Sequence, residues 1–302
     1  MPTRIILDTD IGTDVDDCLA LAVILGSPEV QLAGVTCVYG DVGLRARMVQ
    51  KLLSLYGLRG IPVLRGASEP LLGLRPVYWE GHEGQGLVEP EDETTDEAED
   101  AVSFIVRTVL DNPGKIQILA IGPLTNVALA IKRDPRVARD LGGLMIMGGV
   151  LRGPESLDLP YVEHNIRCDP EAAHLVLTSG APITLVPLDV TTRVRITPEG
   201  VARIAAAATP FHNAVVDQVR RYPRFARLGY TFLPDPLAAA LLIEPDLVGY
   251  ETVHVDVELG GRLTAGATLM RMPTDDAPAN ARVALTVDVE RAKEFVIDRI
   301  AP

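Results

Sequence analysis

Short apolar runs alternate with helical patterns along most of the chain, and this alternation restricts the possible folds more than any other feature. The predicted strands are apolar throughout, which is typical of parallel strands covered on both faces. They lie at Arg4–Leu7, Leu32–Tyr39, Ile61–Leu64, Ile116–Ile121, Leu144–Met147 and Ile183–Pro187. The helical patterns lie at Asp17–Leu25, Leu44–Leu55, Ala101–Leu110, Thr125–Lys132 and Pro170–Ser179. This order predicts an α/β fold with a mainly parallel central sheet flanked by helices.

The C-terminal part of the chain follows a different pattern. Apolar and polar residues alternate in Thr252–Met272 on both sides of Gly260-Gly261, which predicts an antiparallel hairpin. A last helix is expected from about Glu290. A chain of 302 residues without an internal repeat is long enough for one large α/β domain, and we predict a single domain over residues 1–302.

Charge and cysteine content exclude several classes of function. The 41 acidic residues outnumber the 28 basic ones and give a formal charge of −13, which disfavours binding to nucleic acid or to an anionic membrane. Three cysteines without a CxxC pair exclude a disulfide scaffold and a thiolate zinc site. The apolar run Ile5–Leu7 is too short for a signal peptide, and Ile116–Ile131 is too short for a membrane span. We therefore expect a soluble cytoplasmic protein with a small-molecule partner.

Five aspartates lie within the ten residues Asp8–Asp17, directly after the first predicted strand. Open α/β sheets hold their ligands at this end of the strands. Helix capping uses one or two aspartates, and a bound cation relieves the repulsion among the rest. Oxygen ligands without a nearby His or Cys favour Ca²⁺ or Mg²⁺, and the spacing excludes an EF-hand. A capped, solvated loop is the alternative.

The aspartate segment is compatible with two classes of enzyme. A strand followed by DxD resembles the haloacid-dehalogenase-type phosphatases, in which Asp8 would be the nucleophile and Asp10 the acid/base. That motif has Gly-Thr directly after the second aspartate. Here Ile11 intervenes, and the pair Asp16-Asp17 has no part in the motif.

The second resemblance is to the inosine–uridine type nucleoside hydrolases, and it covers residues 4 to about 297. The family opens with DxDxGxDDA, which corresponds here to Asp8, Asp10, Gly12, Asp16 and Asp17, with two additional residues before the Asp-Asp pair. Further blocks follow in the family's order: Gly122-Pro123-Leu124-Thr125-Asn126, Met147-Gly148-Gly149, Glu163-His164-Asn165-Ile166 with Asp169-Pro170-Glu171-Ala172-Ala173, Leu188-Asp189-Val190-Thr191, and Asp235-Pro236-Leu237-Ala238. Each block alone is weak, but together they are specific.

This resemblance implies the nucleoside hydrolase fold, hydrolysis of a ribonucleoside N-glycosidic bond, a role in purine or pyrimidine salvage, and a homodimer or homotetramer. It implies a Ca²⁺ cofactor bound by Asp10, Asp17, the main-chain carbonyl of Thr125, and Asp235. Asp10 would also be the general base that takes a proton from the attacking water. The residues implied in sugar binding are Asp16, Asp41, Glu163 and Asn165. In the simpler interpretation, these residues are helix caps and polar loop residues.

Four positions depart from the family's pattern. Asp41 replaces an Asn that touches the sugar, Pro234 replaces a His or Trp beside the leaving base, Glu80 replaces the His of an HGxxGLG loop, and Leu157 replaces an Asn at the 5′-hydroxyl. We therefore expect a substrate different from that of the standard members. The sequence leaves open which group protonates or stacks on the leaving base: the candidates are His82, Glu80, Trp79, His164, Tyr222 and Tyr230. A sugar-binding homologue without turnover is the alternative from another functional class.

Overall fold

A nine-stranded sheet forms the centre of the computed structural model, which describes residues 2–89, 92, 99–151 and 158–301. The strands are β1 Thr3–Thr9, β2 Val30–Cys37, β3 Val63–Arg65, β4 Ile116–Ala120, β5 Gly143–Met147, β6 Ile183–Val186, β7 Arg195–Ile196, β8 Thr231–Phe232, β9 Val248–Val257, β10 Thr268–Arg271 and β11 Ala281–Val287. The helices are α1 Asp16–Leu25, α2 Val42–Tyr56, α3 Ala101–Leu110, α4 Thr125–Arg133, α5 Arg136–Asp140, α6 His164–Cys168, α7 Pro170–Leu177, α8 Leu188–Thr191, α9 Pro198–Ala206, α10 Pro210–Arg221, α11 Pro223–Leu228, α12 Pro234–Leu241 and α13 Val289–Ile300, with a 3₁₀ turn at Pro245–Leu247.

The sheet is mainly parallel, as the sequence predicts. Its order is β10-β9-β11-β6-β5-β4-β1-β2-β3, and every pair from β11 to β3 is parallel. The predicted hairpin is confirmed as β9 and β10, which pair antiparallel at one edge. Strand β11 was not predicted from the sequence, and it joins the hairpin to the sheet by pairing parallel with β6 and antiparallel with β9.

Apolar side chains cover both faces of the sheet. In β1, Ile5 and Leu7 belong to one buried cluster and Ile6 belongs to the other, because successive side chains of a strand point to opposite faces. Helices α1, α2, α10, α12 and α13 pack on the first face, and α3, α4, α5 and α7 pack on the second. The result is a single-domain α/β fold. Among the described helices, none is both long and apolar enough to cross a membrane.

The strand order opens a crevice at the carboxyl edge of the sheet. The chain leaves β1 towards β2 on one side, and β4 lies on the other side of β1. Open α/β sheets bind ligands where the strand order reverses in this way, outside the carboxyl ends of the strands. The short ribbon of β7 and β8 sits outside the main sheet, with Arg195 directly opposite Phe232.

Candidate active site

A cavity of about 770 Å³ lies at the carboxyl edge of the sheet. This volume is in the upper part of the range of roughly 300–1,000 Å³ that is typical of small-molecule sites. Its lining combines the strand-end residues Ile121 and Met147 with many polar and charged side chains. The polar and charged ones are Asp10, Thr13, Asp14, Asp16, Asp17, Tyr78, Glu80, His82, Asp158, Glu163, His164, Asn165, Arg167, Thr192, Arg195, Tyr222, Arg224, Tyr230, Thr231 and Asp235.

The turn between β1 and α1 presents the aspartates to this cavity. Gly12 has φ = +122°, and a Cβ at this position would lie 2.9 Å from the Met48 sulfur, so the turn requires glycine. Helix α1 begins at Asp16 and has no side-chain N-cap hydrogen bond. Asp17 instead accepts a hydrogen bond from the Thr9 hydroxyl. The interpretation of these aspartates as helix caps is therefore wrong.

A buried arginine that the sequence analysis missed holds this turn in place. Arg45 of α2 is fully buried, and its guanidinium donates to the main-chain carbonyls of Tyr39 (2.6 Å), Ile11 (2.7 Å) and Asp10. It also donates to the Thr13 hydroxyl at 3.3 Å. An arginine in an amphipathic helix is ordinarily exposed, so the helical pattern alone offers no signal for this role.

Three carboxylates from two helices meet in the cavity. One oxygen from each of Asp16, Asp17 and Asp235 lies within 4.8 Å of the others. Helix α12 begins at Pro234, so Asp235 lies inside the first turn. The simpler interpretation, in which Asp235 is the N-cap of this helix, is therefore wrong. Burial raises the pKa of each of the three carboxyls well above its usual value, and the negative charges of neighbouring aspartates raise these pKa values further.

The donor set suits a hard divalent cation. Asp235 Oδ1 is buried and has no hydrogen-bond partner among the described residues, a costly arrangement that a cation would relieve. The donors are all oxygen atoms, which favours Ca²⁺ or Mg²⁺ over a transition metal. Asp10 lines the same cavity, and its charge raises the pKa values of Asp17 and Asp235.

Asp8 lies beneath the cavity. It is fully buried, and its Oδ1 accepts hydrogen bonds from the Thr36 hydroxyl and from Asn126 Nδ2 at 2.8 Å. Burial raises the pKa of Asp8 to about 7, against the opposing effect of these two bonds. Asn126 also accepts from the Ala67 main-chain N–H at 2.8 Å, so these bonds connect β1, β2 and the loop after β3 to α4. Asp8 does not line the cavity, so it is not placed to be the nucleophile that a phosphatase requires.

The loop after β4 packs tightly against Asp10. A Cβ at Gly122 would lie 2.9 Å from Asp10 Oδ1, so glycine is required for this approach. Thr125 is the first residue of α4, while Leu124 occupies the N-cap position. The Thr125 hydroxyl donates to Asp169 Oδ2 at 2.7 Å.

Glu163 and Asn165 line the cavity, but most of their polar atoms are already bonded to the main chain. Glu163 accepts from the N–H groups of Asn165 (2.7 Å), Gly149 (3.0 Å) and Ile166 (3.1 Å). Burial raises the pKa of this carboxyl, and the three bonds oppose that rise. Asn165 Nδ2 donates to the carbonyl of Ile121 at 2.9 Å, so its Oδ1 is the atom that would meet a ligand.

The structure does not bring Asp41 or Trp79 into the cavity lining. Asp41 is exposed and is the N-cap of α2, where its Oδ1 accepts from Leu44 N at 2.8 Å. The Trp79 ring packs against Gly40 and lies 5.0 Å from the guanidinium carbon of Arg45. Leu157, at another position that departs from the family's pattern, lies outside the described residues.

The other candidates for the leaving-group side all line the cavity. His82 Nε2 donates to the carbonyl of Thr13 at 3.1 Å, and Glu80 accepts from the Tyr78 hydroxyl. Tyr222 donates to Asp14 Oδ2 at 2.8 Å. Burial and the Asp14 carboxylate raise the pKa of Tyr222, which makes it a weaker proton donor.

His164 and Tyr230 lie against aromatic rings. His164 packs edge-on to Tyr78 with 5.4 Å between ring centroids, and its Nε2 is 3.5 Å from the Cys168 sulfur. Tyr230 packs edge-on to Phe232 at 5.8 Å. Pro234 also lines the cavity, so the position that departs most from the family's pattern does face the ligand space.

Sequence reasoning also missed three cationic side chains of the cavity lining, Arg167, Arg195 and Arg224. The guanidinium carbon of Arg195 lies 4.7 Å from the ring centroid of Tyr230 and 5.2 Å from that of Phe232. The guanidinium carbon of Arg224, on α11, lies 4.6 Å from the ring centroid of Phe232 in β8. The sequence held a weak signal for a strand here, because the aromatic residues Tyr230 and Phe232 alternate with a polar residue just before Asp235. Its partner strand, which carries Arg195, was not predicted.

Comparison with known proteins assigns the chain to a family. The model of the inosine-uridine preferring nucleoside hydrolase family matches residues 5–294. The chain is 32% identical to the inosine-uridine preferring nucleoside hydrolase of Leishmania major, over 99% of this chain and 98% of that protein. It is 33% identical to uridine nucleosidase 1 of Arabidopsis thaliana, over 97% of this chain and 91% of that protein.

Solved structures agree with this assignment. A purine-preferring ribonucleoside hydrolase from Gardnerella vaginalis superposes with a TM-score of 0.88 at 31% identity, over 99% of this chain and 98% of the other. The fold predicted from the sequence is thereby confirmed. The resemblance to the nucleoside hydrolases that the sequence motifs indicated is confirmed as well. Homologues in this family are N-ribohydrolases, which are glycosidases. The chain therefore belongs to the inosine-uridine preferring nucleoside hydrolase family and is an N-glycosyl hydrolase.

Proposed function

We propose that this protein hydrolyses the N-glycosidic bond of a ribonucleoside or related ribosyl compound to ribose and free base, with Ca²⁺ as cofactor and Asp10 as general base. The observation that carries the proposal is the meeting of Asp10 with the Asp16, Asp17 and Asp235 carboxylates in one cavity, in a chain of this family. The relatives named above include uridine-, inosine–uridine- and purine-preferring enzymes, so membership of the family alone leaves the base open.

The ion would be held by Asp10, Asp17 and Asp235 with the Thr125 carbonyl, and Asp16 lies close enough to share it. When bound, the cation would neutralise these carboxylates, orient the sugar diol and lower the pKa of the attacking water. The buried, orphaned oxygen of Asp235 supports this assignment.

The protein's own groups would position the sugar and move the proton. Asp10 faces the cavity from the turn after β1, where it would accept a proton from the attacking water. Glu163 is fixed by three main-chain N–H groups and would accept from a sugar hydroxyl, as would Asn165 Oδ1. A sugar that lacked these hydroxyls would leave buried acceptors unpaired, which favours ribose.

Release of reducing sugar tests the proposal. The purified protein is incubated with a panel of ribosyl compounds in EGTA, and then with Ca²⁺ or Mg²⁺ in excess. We expect release that EGTA abolishes and Ca²⁺ restores. Release that persists in EGTA would overturn the calcium requirement. Binding of nucleosides without release from any ribosyl compound would overturn the hydrolase proposal in favour of a binding homologue.

We also propose that residues 1–302 act as a single functional unit and assemble as a homodimer or homotetramer. The match of the family model over residues 5–294 supports the single unit. Sedimentation equilibrium of the purified chain would test the assembly, and a monomer at micromolar concentration would contradict it.

A further inference from the structure

Arg195 and Arg224 line the cavity on the side of the β7–β8 ribbon, and neither forms a direct ion pair with a carboxylate of the described residues. The charge of Arg224 does act on Asp14 of the same lining, where it opposes the rise that burial causes in the pKa of that carboxyl. Arg195 is exposed and Arg224 is partly exposed. Several other arginines of the described residues do form an ion pair with a carboxylate. Arg203, Arg291 and Arg299, for example, each pair with at least one carboxylate. The function proposed above assigns no role to the two cavity arginines.

Aromatic rings hold both guanidinium groups in place. Arg195 lies over Tyr230 and Phe232, and Arg224 lies over Phe232, within about 5 Å of the ring centroids. Stacking on a ring occupies the face of a guanidinium and leaves its N–H edge available. That edge matches the geometry of a carboxylate or phosphate, which it binds through two parallel hydrogen bonds.

These arginines and the acidic cluster lie within reach of one ligand. Phe232 precedes Asp235 by three residues, which span roughly 10 Å at most. Arg195 lies opposite Phe232 in the β7–β8 register. The cavity therefore has a carboxylate end suited to a cation and a diol, and a guanidinium end suited to an anion.

The negative charge of the whole protein makes a cluster of arginines in the cavity more significant for ligand binding. A formal charge of −13 repels anionic ligands in general, so an anion enters only where cations offset the field. Arg167 of α6 adds a third positive charge to the same lining.

We propose that the substrate is a ribosyl compound that carries an anionic group, a carboxylate or a phosphate, which Arg195 and Arg224 bind. This inference rests on the proposed hydrolase function and narrows its substrate class. The anion could stand on the base or on the 5′ carbon of the sugar, and the two sources are separated by the choice of substrates.

The test compares anionic and neutral substrates with the calcium-loaded full chain. The neutral substrate is uridine. Orotidine and nicotinic acid riboside carry a carboxylate on the base, whereas uridine 5′-phosphate carries the anion on the sugar. We expect kcat/KM for one of these anionic types to exceed that for uridine at least about tenfold, which corresponds to ~1.4 kcal/mol. The advantage should lie mainly in KM, because the anion is remote from the scissile bond, and should shrink with added salt.

Two variants, Arg195→Gln and Arg224→Gln, remove the charges, and Arg193→Gln is the matched control. Arg193 is exposed, precedes Arg195 by two residues and lies outside the cavity lining. Each cavity variant should reduce the ratio of anionic to neutral kcat/KM at least about fivefold, while the control should keep the ratio. Circular dichroism confirms that each variant is folded.

A second measurement separates this inference from the proposed function. Isothermal titration with orotate and with ribose 5-phosphate detects the anion site without turnover, and we expect binding of one of them that the cavity variants abolish. If uridine is cleaved at least as well as every anionic compound, the inference is wrong and the hydrolase function stands. If no compound is cleaved, the hydrolase function is wrong, and the titration alone then decides whether the anion site exists.

Discussion

Asp10 is the residue on which the proposed chemistry depends most. In Asp10→Asn the side chain keeps its shape but can no longer accept a proton, so we expect kcat to fall by about 10²–10⁴. The fold should be retained, because Arg45 binds the main-chain carbonyl of Asp10 and not its carboxylate. Steady-state rates and thermal unfolding of both proteins check this, and a variant with near-normal kcat would exclude Asp10 as the base.

Asp41 supplies a matched control. Its side chain caps α2 outside the cavity, and Asn caps a helix as well as Asp does. We therefore expect Asp41→Asn to keep kcat/KM within about twofold, and Asp41→Ala to lose only about 1 kcal/mol of unfolding free energy. A large loss of activity in Asp41→Asn would instead place this carboxylate at the sugar.

These two aspartates show what a residue pattern can predict. The density of carboxylates after β1 correctly indicated a ligand site, because helix capping cannot use so many, and Asp16, Asp17 and Asp235 do meet. Asp41 is an aspartate like the residues that meet in the cavity, but it lies at the start of a helix and caps it instead of facing the cavity. Whether a carboxylate caps a helix or faces a cavity depends on the exact residue at which the helix begins, and this is the least predictable property of a helical pattern.

At the scale of elements, helix α2 supports the turn between β1 and α1 through Arg45. Arg45→Lys would leave some of the carbonyls of Tyr39, Asp10 and Ile11 without donors, because a lysine lacks the planar fork of N–H groups. We expect a loss of roughly 2–4 kcal/mol in unfolding free energy and a lower kcat through displacement of the turn. Denaturant titration measures the first effect and initial rates the second.

Arg47 in the same helix is the control for that substitution. It is partly exposed, and Arg47→Lys should change the unfolding free energy by no more than about 0.5 kcal/mol. Equal effects of the two substitutions would show that α2 tolerates lysine at both positions and that Arg45 does not hold the turn.

The elements that the sequence predicted share one property. β1, β4, β5 and β6 are short and mainly apolar, and the burial of their apolar residues on both faces is visible in the composition of each strand. β11 and the β7–β8 ribbon were missed because their pairing is non-local: β11 joins β6 from far along the chain, and each strand of the ribbon has two residues. Arg195, one of the two arginines that we propose bind an anion, belongs to that ribbon and was missed with it.

For the molecule as a whole, the buried carboxylates link stability to pH. Burial, followed by mutual repulsion, raises the pKa values of Asp16, Asp17 and Asp235 well above the ordinary value of 3.8, and burial raises that of Asp8 to about 7. The ion-free folded protein therefore holds more protons than the unfolded chain from about pH 4 to above pH 7. Its unfolding free energy should fall as the pH rises through that range.

Calcium should reverse this trend, because it binds the deprotonated carboxylates and competes with their protons. We expect the Tm in EGTA to be lower at about pH 8 than at about pH 5.5, and the rise in Tm on adding excess Ca²⁺ to be larger at the higher pH. Asp235→Asn removes one of the clustered charges, so it should raise the Tm in EGTA at about pH 8 and reduce the effect of calcium. An equal calcium effect at both pH values, unchanged in the variant, would mean that the ion binds elsewhere.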